Sequence, residues 1–263
     1  QKHIENILAL TPLQEGMLFH YLQDPQSQLY FEQLSLAISG EIDLLHFEKA
    51  WDTVIESNEM LRTLFRWEKL EKPSQVILKV HHCSVIFYDL SGIEVSRKET
   101  VLNKIKDKDR RKAFDLHRVP FRVILCKLAE DEYQLIISNH HILYDGWSNG
   151  IILEEFFNAY HQLSRGVQST KLPEKPSFKE FIKWIHNQDR TKQEQFWSEY
   201  FAGFETAAEL SIKRRTKETP KHENYSFVLE QDLHNKLDSF VKDIRGTLAA
   251  VFYTAWGILL QKY

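Results

Sequence analysis

Two apolar runs, Phe121–Ala129 and Tyr133–Asn139, flank the polar pair Glu130-Asp131 and constrain this chain more than any other feature. Runs of that length and composition read as strands, and so short a polar break reads as a β-hairpin. A helical pattern follows from about Trp147 to Ser164 and stops at Gly166, a residue suited to a helix C-terminus. The segment from Ser138 to Ser148 therefore lies where a strand hands over to a helix. Such junctions place side chains at the open end of a sheet, where binding sites gather.

The other elements are read around this unit. Thr11-Pro12-Leu13-Gln14 carries the signals of a helix start: a capping threonine, a proline in the first turn and a glutamine that completes a capping box. Leu13, Met17, Leu18 and Leu22 give that helix an apolar stripe. Over Phe31–Ser39, Leu34, Leu36 and Ile38 alternate with Gln33, Ser35 and Ala37, the pattern of a strand with one buried face. Asp43 caps a second helix with Leu44, Phe47, Trp51, Val54 and Ile55 on one side. Segments 64–67, 75–80 and 85–88 are short strand candidates. Val95–His117 reads as a helix carrying a charge run, Lys104 to Lys112, whose mixed signs suit a solvated face better than a phosphate site. Pro173 and Pro176 punctuate a polar linker, the natural domain boundary. Helices over 177–188 and 193–202, a strand over 225–229 and helices over 231–243 and 247–263 complete the reading.

Thr247–Leu260 is apolar on nearly every side, and a helix of that kind needs burial. It is shorter than the ~20 residues of a membrane span, so it is expected inside a protein, covered by a partner or by further polypeptide.

Composition narrows the classes. Across 263 residues, 43% hydrophobic and 27% charged side chains exclude disorder as a global description. A formal net charge of −3 offers no basic footprint for nucleic acid. Gln1–Asn6 has no long apolar core, so no targeting segment is expected. Cys83 and Cys126 both sit in apolar, strand-like runs and read as small core residues, which suits a reducing, cytoplasmic compartment.

Chemistry concentrates in Ser138-Asn139-His140-His141-Ile142-Leu143-Tyr144-Asp145-Gly146-Trp147-Ser148. Adjacent histidines on extended chain point opposite ways, so one can face a cavity while the other packs inward. Asp145 can orient an imidazole or anchor the loop through an arginine, and Gly146 admits close backbone approach to a ligand. A zinc site would need about three or four ligands at spacings this chain lacks. The GxSxG elbow of serine hydrolases is absent as well. On spacing alone, two packed histidines and a turn aspartate compete with a catalytic cluster.

The run His140-His141-Ile142-Leu143-Tyr144-Asp145-Gly146 resembles the HHxxxDG signature of nonribosomal peptide synthetase condensation domains. Leu10 to His20 is similar to the family's opening motif, and Met60-Leu61-Arg62-Thr63-Leu64-Phe65 to its LRTxF segment. Phe178 to Trp184 and Gln195-Phe196-Trp197 are similar to aromatic segments that follow the signature. In that order, the motifs run from about residue 4 to the end of the chain.

The resemblance implies an α/β fold (an α+β two-layer sandwich), a chloramphenicol acetyltransferase-like lobe with a mixed sheet and flanking helices over residues 1–170. Residues 171–263 would be the linker and the beginning of an incomplete second lobe. The implied reaction forms an amide between a donor peptidyl or aminoacyl thioester and an acceptor aminoacyl thioester. Both are carried on the 4'-phosphopantetheine of carrier proteins, with no directly bound cofactor or metal. Upstream and downstream carriers, an adenylation domain and the rest of the second lobe are the implied partners, without nucleic acid or membrane. His141 corresponds to the catalytic histidine, handling the proton of the acceptor amine or positioning it, with His140 beside it. Gly146 would leave room for the thioester arm, Asp145 would pair with Arg62, and Arg62 and Trp184 would support the site.

Two departures carry consequences. Ser57-Asn58 stand where the family usually has Arg-His, which predicts a missing ion pair. A tunnel with one wall cannot exclude water, so the chain by itself is expected to be inactive or nearly so. The opening motif resembles the subtype accepting a D-configured donor, and Asp145-Gly146-Trp147-Ser148 favours condensation over the related epimerisation domains. The rival readings are a lobe that docks carriers without turnover and a related stand-alone acyltransferase completed by oligomerisation.

Overall fold

The hairpin forms, and it is the middle of a four-stranded sheet. Strand β6 (Phe121–Lys127) pairs antiparallel with β7 (Glu132–His140). Strand β2 (Phe31–Ser39) joins the other edge of β7 antiparallel, and β5 (Ile86–Asp89) runs parallel to β6, giving the order β2-β7-β6-β5. A computed structural model of the chain describes residues 3–167, 172–205 and 225–262.

Helices cover both faces of this sheet, which explains why its middle strands are apolar almost throughout. Side chains alternate across a strand. Val123, Leu125, Leu135 and Ile137 pack in one core with Phe47 and Trp51 of α2 (Leu44–Ser57) and Phe156 of α4 (Ser148–Ser164). Trp51 stacks on Phe156 at 4.5 Å between ring centroids, and Phe47 meets the same ring edge-on at 4.8 Å. The alternate residues Ile124, Cys126 and Ile136 pack with Leu102 and Ile105 of α3 (Val95–Arg111).

A second, three-stranded antiparallel sheet has the order β1-β4-β3, from β1 (Ile4–Ala9), β3 (Thr63–Arg66) and β4 (Ser74–Leu78). The sequence reading missed β1, whose partner β4 is remote in the chain. Helix α1 (Pro12–Gln23) starts as expected: Gln14 N–H donates to Thr11 Oγ1 at 3.2 Å and Thr11 N–H donates to Gln14 Oε1 at 3.0 Å. Its stripe is narrower than expected, because Met17 and Leu18 are buried while Leu13 and Leu22 are exposed.

Several expectations need correction. Helix α3 ends at Arg111, short of His117. Asp109, inside the charge run assigned to solvent, is buried and accepts hydrogen bonds from Arg122 Nε (2.8 Å), Gln33 Nε2 (3.0 Å) and Ser138 Oγ (2.5 Å). Arg122 supplies the countercharge that lets a carboxylate face the sheet. Residues 225–230 form no strand. Cys83 lies in a loop and Cys126 in β6, both buried and unpaired. Burial pushes their thiols up, to about 12 and about 11.

Compactness divides the chain into Gln1–Gln188 and Asp189–Tyr263. Helix α5 (Phe178–His186) belongs to the first unit, where Ile182 packs against Leu8 and Ile77. The boundary expected between 170 and 171 lies outside the described residues. The second unit contains α6 (Arg190–Tyr200), α7 (Gln231–Asp243) and α8 (Leu248–Leu260). No described residue of these three helices is buried, so the cover expected for α8 is not supplied by the described residues. Among the described residues no helix is long and apolar enough to cross a membrane.

Candidate active site at the strand–helix junction

His140 is the last residue of β7 and His141 opens the turn beyond it. The turn is pinned at every step. His140 N–H donates to Pro120 O (3.1 Å), His141 N–H to Tyr30 O (2.8 Å) and Leu143 N–H to His140 O (3.1 Å). Ile142 N–H donates to His140 Nδ1 (3.1 Å), and Ile142 O accepts from Gln14 Nε2 (3.1 Å). The glutamine that caps α1 therefore also holds the histidine turn.

The two imidazoles have different environments. His140 is 4% exposed and lies edge-on to Tyr21 and beside Tyr30. Burial, then the neighbouring His141, pushes it down to about 4, so it is neutral near pH 7. Because its Nδ1 accepts from Ile142, its ring hydrogen sits on Nε2. His141 keeps 30% of its side chain exposed, and its Nδ1 lies 2.8 Å from Glu32 Oε1. That contact is short but off line, so Nδ1 lacks a well-formed hydrogen bond.

Glu32 is held in turn. Its Oε2 accepts from Asn139 Nδ2 (3.2 Å), and Asn139 Oδ1 accepts from the Tyr144 hydroxyl (3.0 Å). Burial, then the charge of Glu32, holds the Tyr144 phenol well above its usual range, so it stays a donor. The β2–β7 register sets Glu32 opposite Asn139.

The remaining expected residues are placed differently. Asp145 is exposed and its Oδ1 accepts from both Ser148 N–H (3.2 Å) and Ser148 Oγ (3.1 Å), fixing the start of α4. It does not pair with Arg62. The Arg62 guanidinium is buried in the smaller sheet, where Nη1 donates to Glu5 Oε2 and to Leu78 O (2.6 Å). An exposed turn aspartate cannot compete with a carboxylate and a carbonyl inside that sheet. Gly146 lies beside open space, since a Cβ there would meet nothing within 4 Å. Trp184 is exposed on α5 and stacks on Phe181, with no contact to the histidine turn among the described residues. A groove of about 820 Å³ exists elsewhere, between β1, α2 and the linker, lined by Glu5, Asn58, Arg62, Lys175 and Phe178. It does not include His141, so the chemistry, not the volume, marks the candidate site. Among the described residues no cluster of His, Cys, Asp or Glu is arranged to hold a metal ion.

The family model for the condensation domain matches residues 4–263. The chain belongs to the condensation-domain family. It is 36% identical over 265 residues to surfactin synthase subunit 2 of Bacillus subtilis (strain 168), covering 100% of this chain and 7% of that protein. Tyrocidine synthase 2 of Brevibacillus parabrevis is 34% identical over 265 residues, again with 100% of this chain and 7% of that protein covered. The starter condensation domain of rhizomide synthetase RzmA superposes with a TM-score of 0.67 at 21% identity, over 75% of this chain and 50% of that one. The first condensation domain of the calcium-dependent antibiotic synthetase gives 0.65 at 19% identity, over 79% and 50%. The chain thus spans less than a tenth of these curated relatives and about half of the solved domains.

Within this condensation-domain chain, an ion pair forms beside Ser57-Asn58 from residues elsewhere in the chain. Asn58 Nδ2 donates to Glu155 Oε2 (2.8 Å) and Val54 O (2.7 Å). Lys175 Nζ donates to Asn58 Oδ1 (2.7 Å) and pairs with Glu155. A linker lysine thus brings the positive charge to α4. The sequence reading also missed Glu32, Asn139, Tyr144 and Gln14 as site residues. Asn139 and Tyr144 lie inside the signature segment, but Glu32 and Gln14 reach it only through tertiary pairing.

Proposed function

We propose that the chain is the histidine-bearing part of a nonribosomal peptide synthetase condensation domain that forms an amide between two carrier-bound thioesters. The donor peptidyl or aminoacyl group and the acceptor aminoacyl group arrive on the 4'-phosphopantetheine arms of an upstream and a downstream carrier protein. The acceptor nitrogen attacks the donor carbonyl carbon. A C–N bond forms, the C–S bond breaks, and the donor arm leaves as a thiol. His141 Nε2 takes the proton shed by the nitrogen and delivers it to the departing sulfur. Tethering both substrates supplies much of the rate through proximity.

The observation that carries this reading is the asymmetry of the histidine pair. His140 is buried, hydrogen-bonded and neutral, while His141 is partly exposed with Nδ1 facing a carboxylate. Among the described residues no protein hydrogen bond engages His141 Nε2. Asp145 shapes the start of α4, and the open space at Gly146 suits an approaching thioester arm. The linker and the start of the second lobe lie within residues 171–263, of which α5 packs back on the first unit, and an adenylation domain and a reducing cytoplasm complete the setting.

The test uses the whole protein that carries this chain, with donor- and acceptor-loaded carriers and intact-protein mass spectrometry. Wild type moves the donor onto the acceptor carrier, and His141→Ala does not. Undiminished transfer by His141→Ala refutes the role of His141. A wild type that binds loaded carriers without transfer is a docking lobe instead.

A further inference from the structure

We infer that Glu32, held by Asn139, whose amide Tyr144 fixes, is a positioning residue that selects the His141 tautomer whose Nε2 is free to take a proton. The inference rests on the reading of His141 as the proton-handling residue. It starts from register: β2 and β7 place Glu32 opposite Asn139, one residue before the histidine pair. The Glu32 carboxylate then lies between two nitrogens, Asn139 Nδ2 at 3.2 Å and His141 Nδ1 at 2.8 Å.

Matching donors to acceptors leaves one assignment. An ionised carboxylate only accepts, so both nitrogens facing it must carry hydrogen. For Asn139 this turns the amide NH2 to Glu32 and the amide oxygen to Tyr144, whose hydroxyl donates to it at 3.0 Å. For His141 it puts a hydrogen on Nδ1, in the neutral ring and in the imidazolium alike. The 2.8 Å approach of Oε1 is off line for a formed hydrogen bond, but closing it requires a hydrogen on Nδ1, and the partner of one ring nitrogen decides the state of the other. Nδ1 protonated means that neutral His141 presents a bare Nε2. His140 cannot take this part, because its Nδ1 is committed as acceptor to Ile142 N–H.

The same matching makes Glu32→Gln an informative variant. Tyr144 fixes the Asn139 amide, so Asn139 Nδ2 captures the side-chain oxygen of the introduced glutamine. The glutamine NH2 group then turns to His141 Nδ1, which must accept, and the ring hydrogen moves to Nε2. Adding Asn139→Asp reverses this. The introduced aspartate accepts from Tyr144 and from the glutamine NH2 group, so the glutamine oxygen faces His141 Nδ1 again. Asn139→Asp alone sets two carboxylates against each other.

The experiment measures kcat and KM for donor transfer in the whole protein, for wild type, His141→Ala, Glu32→Gln, Asn139→Asp and the double variant. Nitrogen-15 histidine NMR follows the same proteins, with the His141 signals identified by their loss in His141→Ala. A wrong catalytic tautomer costs about 10⁴-fold in kcat in a serine-protease triad, and the outer hydrogen-bond partners of metal-bound histidines cost about 10–100-fold in affinity or activity. We expect each single variant to lose about 100-fold in kcat with little change in KM, and the double variant to recover at least about tenfold of that loss. Protonated Nδ1 is expected in wild type and the double variant, and protonated Nε2 in Glu32→Gln. A Glu32→Gln protein with wild-type kcat, a double variant no better than Glu32→Gln, or unchanged tautomers overturns the inference. Equal transfer by wild type and His141→Ala instead overturns the reading of His141, while the NMR signals still report on Glu32. Little change in KM and intact histidine spectra in the single variants exclude misfolding as the cause.

Discussion

His140 gives the stability of this chain a defined pH dependence. The ring is 4% exposed, and burial, then His141, pushes it down from 6.5 to about 4. In the unfolded chain it titrates near its ordinary value of about 6.5. Between these limits the unfolded state binds the proton and the folded state does not. Stability therefore falls as pH falls through the window, by about 1.4 kcal/mol per pH unit. The contribution is complete above about pH 6.5 and lost below about pH 4, a total of about 3 kcal/mol. His81, also lowered by burial, acts in the same direction, so the wild type alone does not isolate the effect. His140→Asn does. An asparagine oxygen can replace Nδ1 as acceptor for Ile142 N–H, although the contacts with Tyr21 and Tyr30 are lost. Urea unfolding of both proteins from about pH 7.5 to about pH 4 gives the difference in stability at each pH. The advantage of wild type over the variant is expected to shrink by about 3 kcal/mol across that range. A difference that stays constant would mean that folded His140 is not held neutral, and the argument from burial would fail.

Two further substitutions separate support of the fold from support of the chemistry. Asp109→Ala strips Arg122, Gln33 and Ser138 of a shared acceptor. It is expected to cost about 3–5 kcal/mol in urea unfolding, and adding Arg122→Met should return much of it, because an unpaired buried charge dominates the loss. Gly146→Ala places a methyl in open space, so unfolding should change by less than about 0.5 kcal/mol. Transfer between carriers should nonetheless slow about tenfold if the thioester arm takes the open space at Gly146 as proposed; a wild-type rate would place the arm elsewhere.

Local chemistry was legible in the sequence and remote partnership was not. The capping box of α1 closes within four residues, and both of its hydrogen bonds form as Thr11 and Gln14 predict. The hairpin and the opposed histidines depend on neighbouring residues, and they too are present. The sequence points Arg62 to Asp145, but its partner is Glu5, which arrives on a strand, β1, that only pairing with β4 reveals. The charge run of α3 reads as solvent-facing until β2, β6 and β7 deliver Gln33, Arg122 and Ser138 to Asp109. Gln14 reaches Ile142 across 128 residues of sequence, and no periodicity records that.

Glu32 shows how close the sequence came. It shares the parity of Leu34, Leu36 and Ile38, whose alternation identified β2, and those residues pack against the core beneath α2 and α4. On β7, Asn139 has the same parity as Leu135 and Ile137, which enter that core too. A one-residue slip in pairing would move every side chain of β2 to the other face. The apolar residues that bury β2 therefore also turn Glu32 toward the face shared with Asn139. What the alternation could not state is which strand lies alongside. Once β7 is the neighbour, the carboxylate beside His141 follows from hydrophobic burial, and the orientation of a polar site rests on the packing of leucines two and four residues away.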